Sequence, residues 1–262
     1  MKPVVLSADL KYVLRQMKLS PMLDTLPERI IVARQSRMSY QDFLELVLAD
    51  EIARRERVSA RNRGRRARLD PAMTLETWDD NAPVGFDREL WAELSTLKFM
   101  QEAHDVVVMG PVGVGKTHLA SALGHIAVRR KHRVLSVRAD QMLKKLKAAR
   151  LDQTYPLELR KLLRVDLLII DDLALQSLDQ TETQDFYEIV VERHQVSSTI
   201  VTSNREPKEW LDVMADPMLA QSAIDRLQNA AYELVVEGDS YRKRQKPGRI
   251  GEEVTQQSEY SV

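Results

Sequence analysis

The chain has no cysteine in its 262 residues. That excludes disulfide staples, a thiolate nucleophile and a Cys-ligated zinc, and it fits a reducing compartment. No apolar run approaches the roughly 18 residues that a membrane-spanning helix requires. The opening Met1-Lys2-Pro3-Val4-Val5-Leu6 is too short for a signal peptide and is soon followed by charges. A cytoplasmic, membrane-free setting is expected. Aromatic residues make up only 5% of the chain, and none interleaves with its basic runs, so no platform for stacking single-stranded bases is signalled. A net charge is also missing, because 39 Lys and Arg balance 39 Asp and Glu. Any polyanion-binding surface must therefore come from local segregation of charge.

Segregation is present. Residues 1–75 carry 15 Lys and Arg against 9 Asp and Glu, a surplus of six. The surplus is concentrated between Arg54 and Arg68. Arg54, Arg57, Arg61, Arg65 and Arg68 recur at three- and four-residue steps, which places them on one helical face. Arg55, Arg63 and Arg66 flank them, and only Glu56 opposes. Like charges at that spacing destabilise an isolated helix, and a polyanion would relieve the repulsion. Guanidinium forks suit phosphate oxygens, and counterion release would drive largely sequence-independent binding to double-stranded DNA. The alternative is a solvated linker helix, or one paired with a partner subunit's carboxylates. Lys144, Lys145, Lys147 and Arg150 form a second basic cluster, and Arg242, Lys243, Arg244 and Lys246 a third.

The first 75 or so residues pattern as helices. Leu10, Val13, Leu14 and Met17 repeat at helical spacing behind a Ser7 cap. Pro21 and Pro27 punctuate the next stretch, and Ile30, Ile31 and Ala33 suggest a second short helix. Ser39-Tyr40-Gln41-Asp42 resembles a capping box that opens a longer helix through Phe43, Leu44, Val47, Leu48 and Ile52 into the arginine run. Residues 70–85 read as a linker interrupted by Pro71, Pro83 and Gly85. Strand and helix patterns alternate from Phe86 onward. Strands are expected at 105–109, 133–138, 167–170, 198–203 and 232–236, with helices between them. Such alternation predicts an α/β fold with a mostly parallel central sheet and helices on both faces. Residues 246–262 are expected to be a disordered tail.

The most specific signal is Gly110-Pro111-Val112-Gly113-Val114-Gly115-Lys116-Thr117. It reads GxxxxGKT, comes after the apolar run Val106-Val107-Val108-Met109 and opens a helix at His118, which is the context a phosphate-binding loop needs. Glycines let successive N–H groups curl into an anion nest, and the helix N-terminus adds its positive end. Lys116 is the candidate for the β- and γ-phosphates of ATP, and Thr117 for Mg²⁺.

Further candidates sit at strand ends. Leu167-Leu168-Ile169-Ile170 runs into Asp171-Asp172. Ionised carboxylates are costly to bury unpaired, and ligands of α/β sheets bind at the carboxyl ends of strands. Asp171 is therefore a candidate metal ligand, and Asp172 a candidate general base. Ile200-Val201-Thr202-Ser203-Asn204 ends in small polar residues. Asn204, with Thr202 or Ser203 as neighbours, is the candidate for orienting the lytic water or contacting the γ-phosphate, although Asn is also a common turn residue. Arg226 in Ala223-Ile224-Asp225-Arg226-Leu227 is either a finger inserted into a neighbouring subunit's ATP or a cation at a helix C-terminus. His118, His125 and His132 recur every seven residues, too far apart to share a metal, and read as packing or surface residues.

The combination resembles the AAA+ ATPases of the IstB family, the ATP-binding helpers of insertion-sequence transposition, which are related to helicase loaders of the DnaC type. The resemblance is carried by Gly110–Thr117 with His118-Leu119-Ala120, by 166–173, by Thr202-Ser203-Asn204, by Asp225-Arg226 and by Asp239-Ser240-Tyr241-Arg242. It implies Walker A, Walker B, sensor 1 and arginine-finger roles for the four nucleotide motifs. It also implies a homo-oligomer that assembles on duplex DNA with ATP and Mg²⁺ and stimulates a partner transposase, in a bacterial, nucleoid-associated setting. Two departures stand out. Many AAA+ proteins have Glu where this chain has Asp172, and the shorter side chain suggests slow hydrolysis. Only 26 residues come after Val236, too few for a three-helix lid, so a reduced or absent lid is expected. The domain plan is a helical arm at 1–75, an ATPase core at 76–245 and the tail. The competing functions are a replicative helicase loader on the same core and a small-molecule kinase of the P-loop type.

Overall fold

The computed structural model describes residues 4–80, 82–229 and 231–240. Residues 246–262 and the basic cluster Arg242, Lys243, Arg244 and Lys246 lie outside these. The chain divides into two compact units, residues 1–62 and 63–262.

The first unit is helical: α1 (Ala8–Gln16), α2 (Met22–Gln35) and most of α3 (Tyr40–Arg66). Ser7 caps α1 by accepting from the Leu10 N–H. Leu14, Met22, Leu26 and Val47 make a small core. Pro27 does not interrupt the chain as its sequence suggests; it lies inside α2. A proline there removes one backbone donor, and burial of Met22 and Leu26 on the same helix keeps the helix continuous. The division at 62/63 falls earlier than the composition boundary near 75. Ala67 and Leu69 are buried in the core of the second unit, and the Ser136 N–H bonds the Ala67 carbonyl at 2.8 Å.

The second unit contains, in chain order, β1 (Val84–Gly85), α4 (Arg88–Ser95), α5 (Lys98–Gln101), β2 (Asp105–Met109), α6 (Lys116–Arg129), β3 (Val134–Arg138), α7 (Ala139–Leu151), α8 (Tyr155–Leu163), β4 (Leu167–Leu173), α9 (Gln180–Arg193), β5 (Ser198–Ser203), α10 (Pro207–Trp210), α11 (Pro217–Asn229), β6 (Ala231–Val235) and β7 (Glu237–Gly238). Five strands form a parallel sheet in the order β3-β4-β5-β2-β6. The α/β class with a central parallel sheet is as expected. Strand side chains alternate between faces, and the core partitions accordingly. Val106, Val108, Leu167 and Ile169 join one apolar cluster, while Val107, Met109, Leu168 and Ile170 join the other. Both faces are therefore covered, which is why these strands are continuously apolar.

The connection leaving β2 runs to β3 at one edge, and that leaving its neighbour β5 runs to β6 at the other. Opposed connections open a crevice at the carboxyl end of β2. Among the described residues no helix comes after β6, and none is long and apolar enough to cross a membrane.

Candidate functional site

The octapeptide sits at that crevice. Gly113 and Gly115 adopt φ of +89° and +101°, which side chains rarely tolerate. A Cβ at Gly113 would fall 2.2 Å from Ser240 Oγ, and one at Gly115 would fall 2.8 Å from the Trp78 ring. α6 begins directly at Lys116 and is locked down by buried Leu119, Ala120, Leu123 and Ala127. Its first-turn N–H groups have no partner within the helix and face the loop that precedes it. Lys116 is buried, and its Nζ donates to the Gly110 and Pro111 carbonyls, each at 2.7 Å. Phosphate oxygens would give the same ammonium stronger, charge-assisted partners.

A cavity of about 460 Å³ opens beside the loop, and Lys116, Thr117, Asp172 and Asn204 all line it. Asp171 is buried at the tip of β4. Its carboxylate accepts from Thr117 Oγ1 at 2.9 Å and from Thr202 Oγ1 at 2.5 Å. The structure thus brings together the loop, both aspartates and Asn204. Among the described residues no three His, Asp or Glu side chains could together hold a metal. One hydroxyl and one carboxylate in contact do fit Mg²⁺, which keeps several waters and takes its remaining ligands from substrate phosphates.

Two parts of the site are not signalled by the sequence. The first is the bond from Thr202, which the sequence marks only as a neighbour of Asn204, to Asp171. The second is the stretch 70–85, which patterns as a linker but forms a wall of the cavity through Asp70, Met73, Thr77, Trp78 and Val84. A 3₁₀ turn at Leu75–Thr77 and the pairing of β1 with β7 order it. His118 Nε2 lies 2.8 Å from the Thr74 carbonyl, and His125 Nε2 lies 2.8 Å from the Asp70 carbonyl. These two histidines pin the wall to α6. His132 lies beyond the end of α6.

Arg226 occupies the last turn of α11 and donates to the Ser222 carbonyl at 2.9 Å and to the Ser222 hydroxyl. It is not among the residues lining the cavity.

The arginine run differs in detail from its sequence pattern. Glu51, one turn earlier, accepts from Arg54 at 2.7 and 2.8 Å and from Arg55 at 2.7 Å, so Glu56 is not the sole opposing carboxylate. Hydrogen bonds from Arg54, outweighing the effect of burial and joined by those from Arg55, hold the Glu51 carboxyl down at about 2. Arg57, Arg61 and Arg65 are exposed. Arg68 does not continue the helical face, because α3 ends at Arg66 and Arg68 has a φ of +60°. It lines a smaller recess that also touches Thr117 and Asp171. The second basic cluster is neutralised locally. Lys145 pairs with Glu158 at 2.6 Å and Lys144 with Asp140 at 3.9 Å, while Lys147 and Arg150 bond Asp179 and Asp185.

Comparison with known proteins agrees with this geometry. The chain is 35% identical over 241 residues, 92% of its own length and 96% of the relative's, to an insertion-sequence protein of Mycobacterium tuberculosis named for ATP binding. It is 31% identical over 238 residues to the corresponding IS21 protein of Pseudomonas aeruginosa, covering 91% of this chain and 90% of that one. Among solved structures, the DnaC helicase loader superposes with a TM-score of 0.55 at 19% identity, over 64% of this chain and 98% of that one. The replication initiator DnaA bound to AMPPCP and single-stranded DNA superposes with a TM-score of 0.55 at 24% identity, over 65% of this chain and 51% of that one. Those two likenesses establish a shared AAA+ fold. The sequence pattern of the IstB-like ATP binding proteins matches residues 12–248, and the chain belongs to that family.

Proposed function

We propose that the protein is a slow ATPase that assembles in several copies on double-stranded DNA and stimulates a transposase partner. The observation that carries this reading is the convergence of Lys116, Asp172 and Asn204 on one cavity, with Thr117 bonded to Asp171 beside it. Gly110, Pro111, Val112, Gly113, Val114 and Gly115 wrap the triphosphate, all but Pro111, which has no N–H, through backbone N–H groups. Lys116 exchanges its two loop carbonyls for β- and γ-phosphate oxygens. Thr117 and Asp171 hold Mg²⁺, which when bound neutralises charge on the phosphate oxygens. Asp172 accepts the proton of the attacking water, and Asn204 orients that water. Arg226 reaches a neighbouring protomer's nucleotide.

For DNA, exposed Arg57, Arg61 and Arg65 are the principal phosphate contacts. Arg54 contributes less because Glu51 already engages it, and Arg68 is set apart by its turn. The relatives' insertion-sequence names support transposition as the setting.

The test monitors assembly on duplex DNA by sedimentation, with and without MgATP. The wild type is expected to assemble only with MgATP. K116A is expected to lose at least about a hundredfold in hydrolysis and to lose assembly. A double R57A/R61A change is expected to reduce the slope of log affinity against log salt by about two. Assembly indifferent to nucleotide in the wild type overturns the reading. Capture of a replicative helicase instead of a transposase reassigns it to a loader, and a phosphorylated small-molecule product reassigns it to a kinase.

A further inference from the structure

Strands β4 and β5 run in register at Ile170 opposite Val201 and again at Leu173 opposite Ser203. Between these points β4 contributes two residues, Asp171 and Asp172, while β5 contributes only Thr202. This is a β-bulge, a device that re-aims side chains and leaves a backbone group outside the ladder. Asp172 takes the strain, with a φ of +57° that costs a non-glycine residue about 1 kcal/mol or more.

Thr202 fills the irregularity with its side chain. It is fully buried. Its Oγ1 accepts from the Asp172 N–H at 3.0 Å and lies 2.5 Å from Asp171 Oδ1, to which it donates. One hydroxyl thus spends its acceptor on the backbone of one aspartate and its only proton on the carboxylate of the other. Thr117 Oγ1 donates to the same carboxylate at 2.9 Å.

We infer that Thr202 is a positioning residue that sets both aspartates at once. It orients the Asp171 carboxylate and fixes the bulge from which Asp172 faces the cavity. Asn204, two residues further on, lines that cavity, so a single strand end serves both the metal side and the water side of the site. This inference rests on the proposed ATPase function and deepens it. Valine is nearly isosteric with threonine but lacks the hydroxyl, and serine keeps the hydroxyl while losing the methyl, so the two changes separate bonding from packing.

The experiment compares wild type, T202V and T202S. In nucleotide-free protein, hydrogen exchange at the Asp172 amide is expected to accelerate at least about tenfold in T202V and to stay near wild type in T202S. With nucleotide, calorimetry measures ATP affinity in EDTA and in magnesium. T202V is expected to match wild type in EDTA and to need about 10–100-fold more Mg²⁺ for half-maximal binding or hydrolysis, with T202S restoring most of the loss. Should T202V fail to fold, T202A carries the same expectations. An Asp172 amide equally protected in T202V, or a Mg²⁺ requirement unchanged by loss of the hydroxyl, overturns the inference. A wild-type protein that binds no MgATP overturns the ATPase function instead, and the exchange measurement distinguishes the two failures.

Discussion

The two ends of the central sheet treat a buried carboxylate in opposite ways. At the amino end of β2, Asp105 is buried, and its Oδ1 accepts from the Thr199 N–H at 2.7 Å. Nearby, buried Arg193 donates to the Leu162, Val165 and Ser198 carbonyls and to Thr199 Oγ1, at 2.5 to 3.0 Å. Burial pushes Asp105 up to about 7 against the hydrogen bond from Thr199 and the attraction of Arg193. It pushes Arg193 down to about 10. At the carboxyl end, Asp171 is almost as buried, but its partners are two hydroxyls, and the Lys116 ammonium donates to carbonyls of its own loop. The amino end spends its polar groups on one another across α9, β5 and β2, which ties elements together. The carboxyl end keeps groups whose partners can be exchanged, beside a cavity of about 460 Å³. Polar burial by itself therefore does not mark a site; exchangeable partners next to open volume do.

The largest expected effect tests the closed end. R193M removes the donor for three carbonyls and leaves Asp105 buried without its compensating charge. Leaving buried acceptors without a donor costs about 1–3 kcal/mol each, and a loss of several kcal/mol in a unit of this size lowers the melting temperature by on the order of 10 °C. Calorimetric melting of the nucleotide-free protein checks this. The loss should be larger at pH 8 than at pH 5, because protonation of Asp105 relieves the unpaired charge at the lower pH. Affinity for ATP in the folded fraction should change by less than about twofold, since distant sites act independently. A large change in affinity would show that the two ends are coupled.

The next effect is a pH dependence. The native Asp105 value, about 7, lies above the ordinary aspartate value of 3.8, so the folded state holds its proton where the unfolded chain has lost it. The resulting stabilisation is complete below about pH 4 and declines as pH rises to about 7, by up to about 4 kcal/mol. Glu51 and Glu76 are both held down at about 2. Their contribution is complete above the usual glutamate range and is lost only as pH falls towards 2, outside this window. D105N keeps an oxygen acceptor for the Thr199 N–H but cannot ionise. Urea midpoints between pH 5 and 8 should therefore fall for the wild type and stay nearly level for D105N. Parallel slopes would mean that Asp105 is not the group responsible.

These contrasts also explain which features are legible without the fold. The strands Asp105–Met109 and Ser198–Ser203 are legible to the residue, because strands covered on both faces keep consecutive apolar residues at their centre, Val106-Val107-Val108 and Ile200-Val201, instead of alternating. The GxxxxGKT loop and the Asp171-Asp172 pair are legible because their chemistry lies in consecutive residues. Thr202 is not legible as the partner of Asp171, since its role depends on a two-against-one mismatch with a strand some thirty positions away. The wall at 70–85 has no helical or strand period and so resembles a linker. Its order comes from contacts such as those of His118 and His125 with backbone carbonyls. The departures in the arginine run have the same origin: Glu51 becomes visible as a partner of Arg54 and Arg55 only on a formed helix, and the turn at Arg68 only once that helix ends.

The smallest expected effect probes the open end through its backbone. G113A places an alanine at a φ of +89°, which costs about 1–2 kcal/mol. Its Cβ would fall 2.2 Å from Ser240 Oγ and 3.3 Å from Ser240 Cα, so the serine has to shift as well. Gly113 lines the cavity but touches none of the amino-end cluster, so the cost should appear where the loop is used. ATP affinity is expected to drop by about tenfold, the equivalent of 1.4 kcal/mol. The pH profile of stability set by Asp105 should keep its shape. Titration calorimetry on G113A, paired with urea midpoints at pH 5 and 8, checks both halves. An unchanged affinity would mean that the loop relaxes at no cost when it takes up phosphate, and the left-handed backbone at Gly113 would then belong to packing against Ser240 instead of to the cradle.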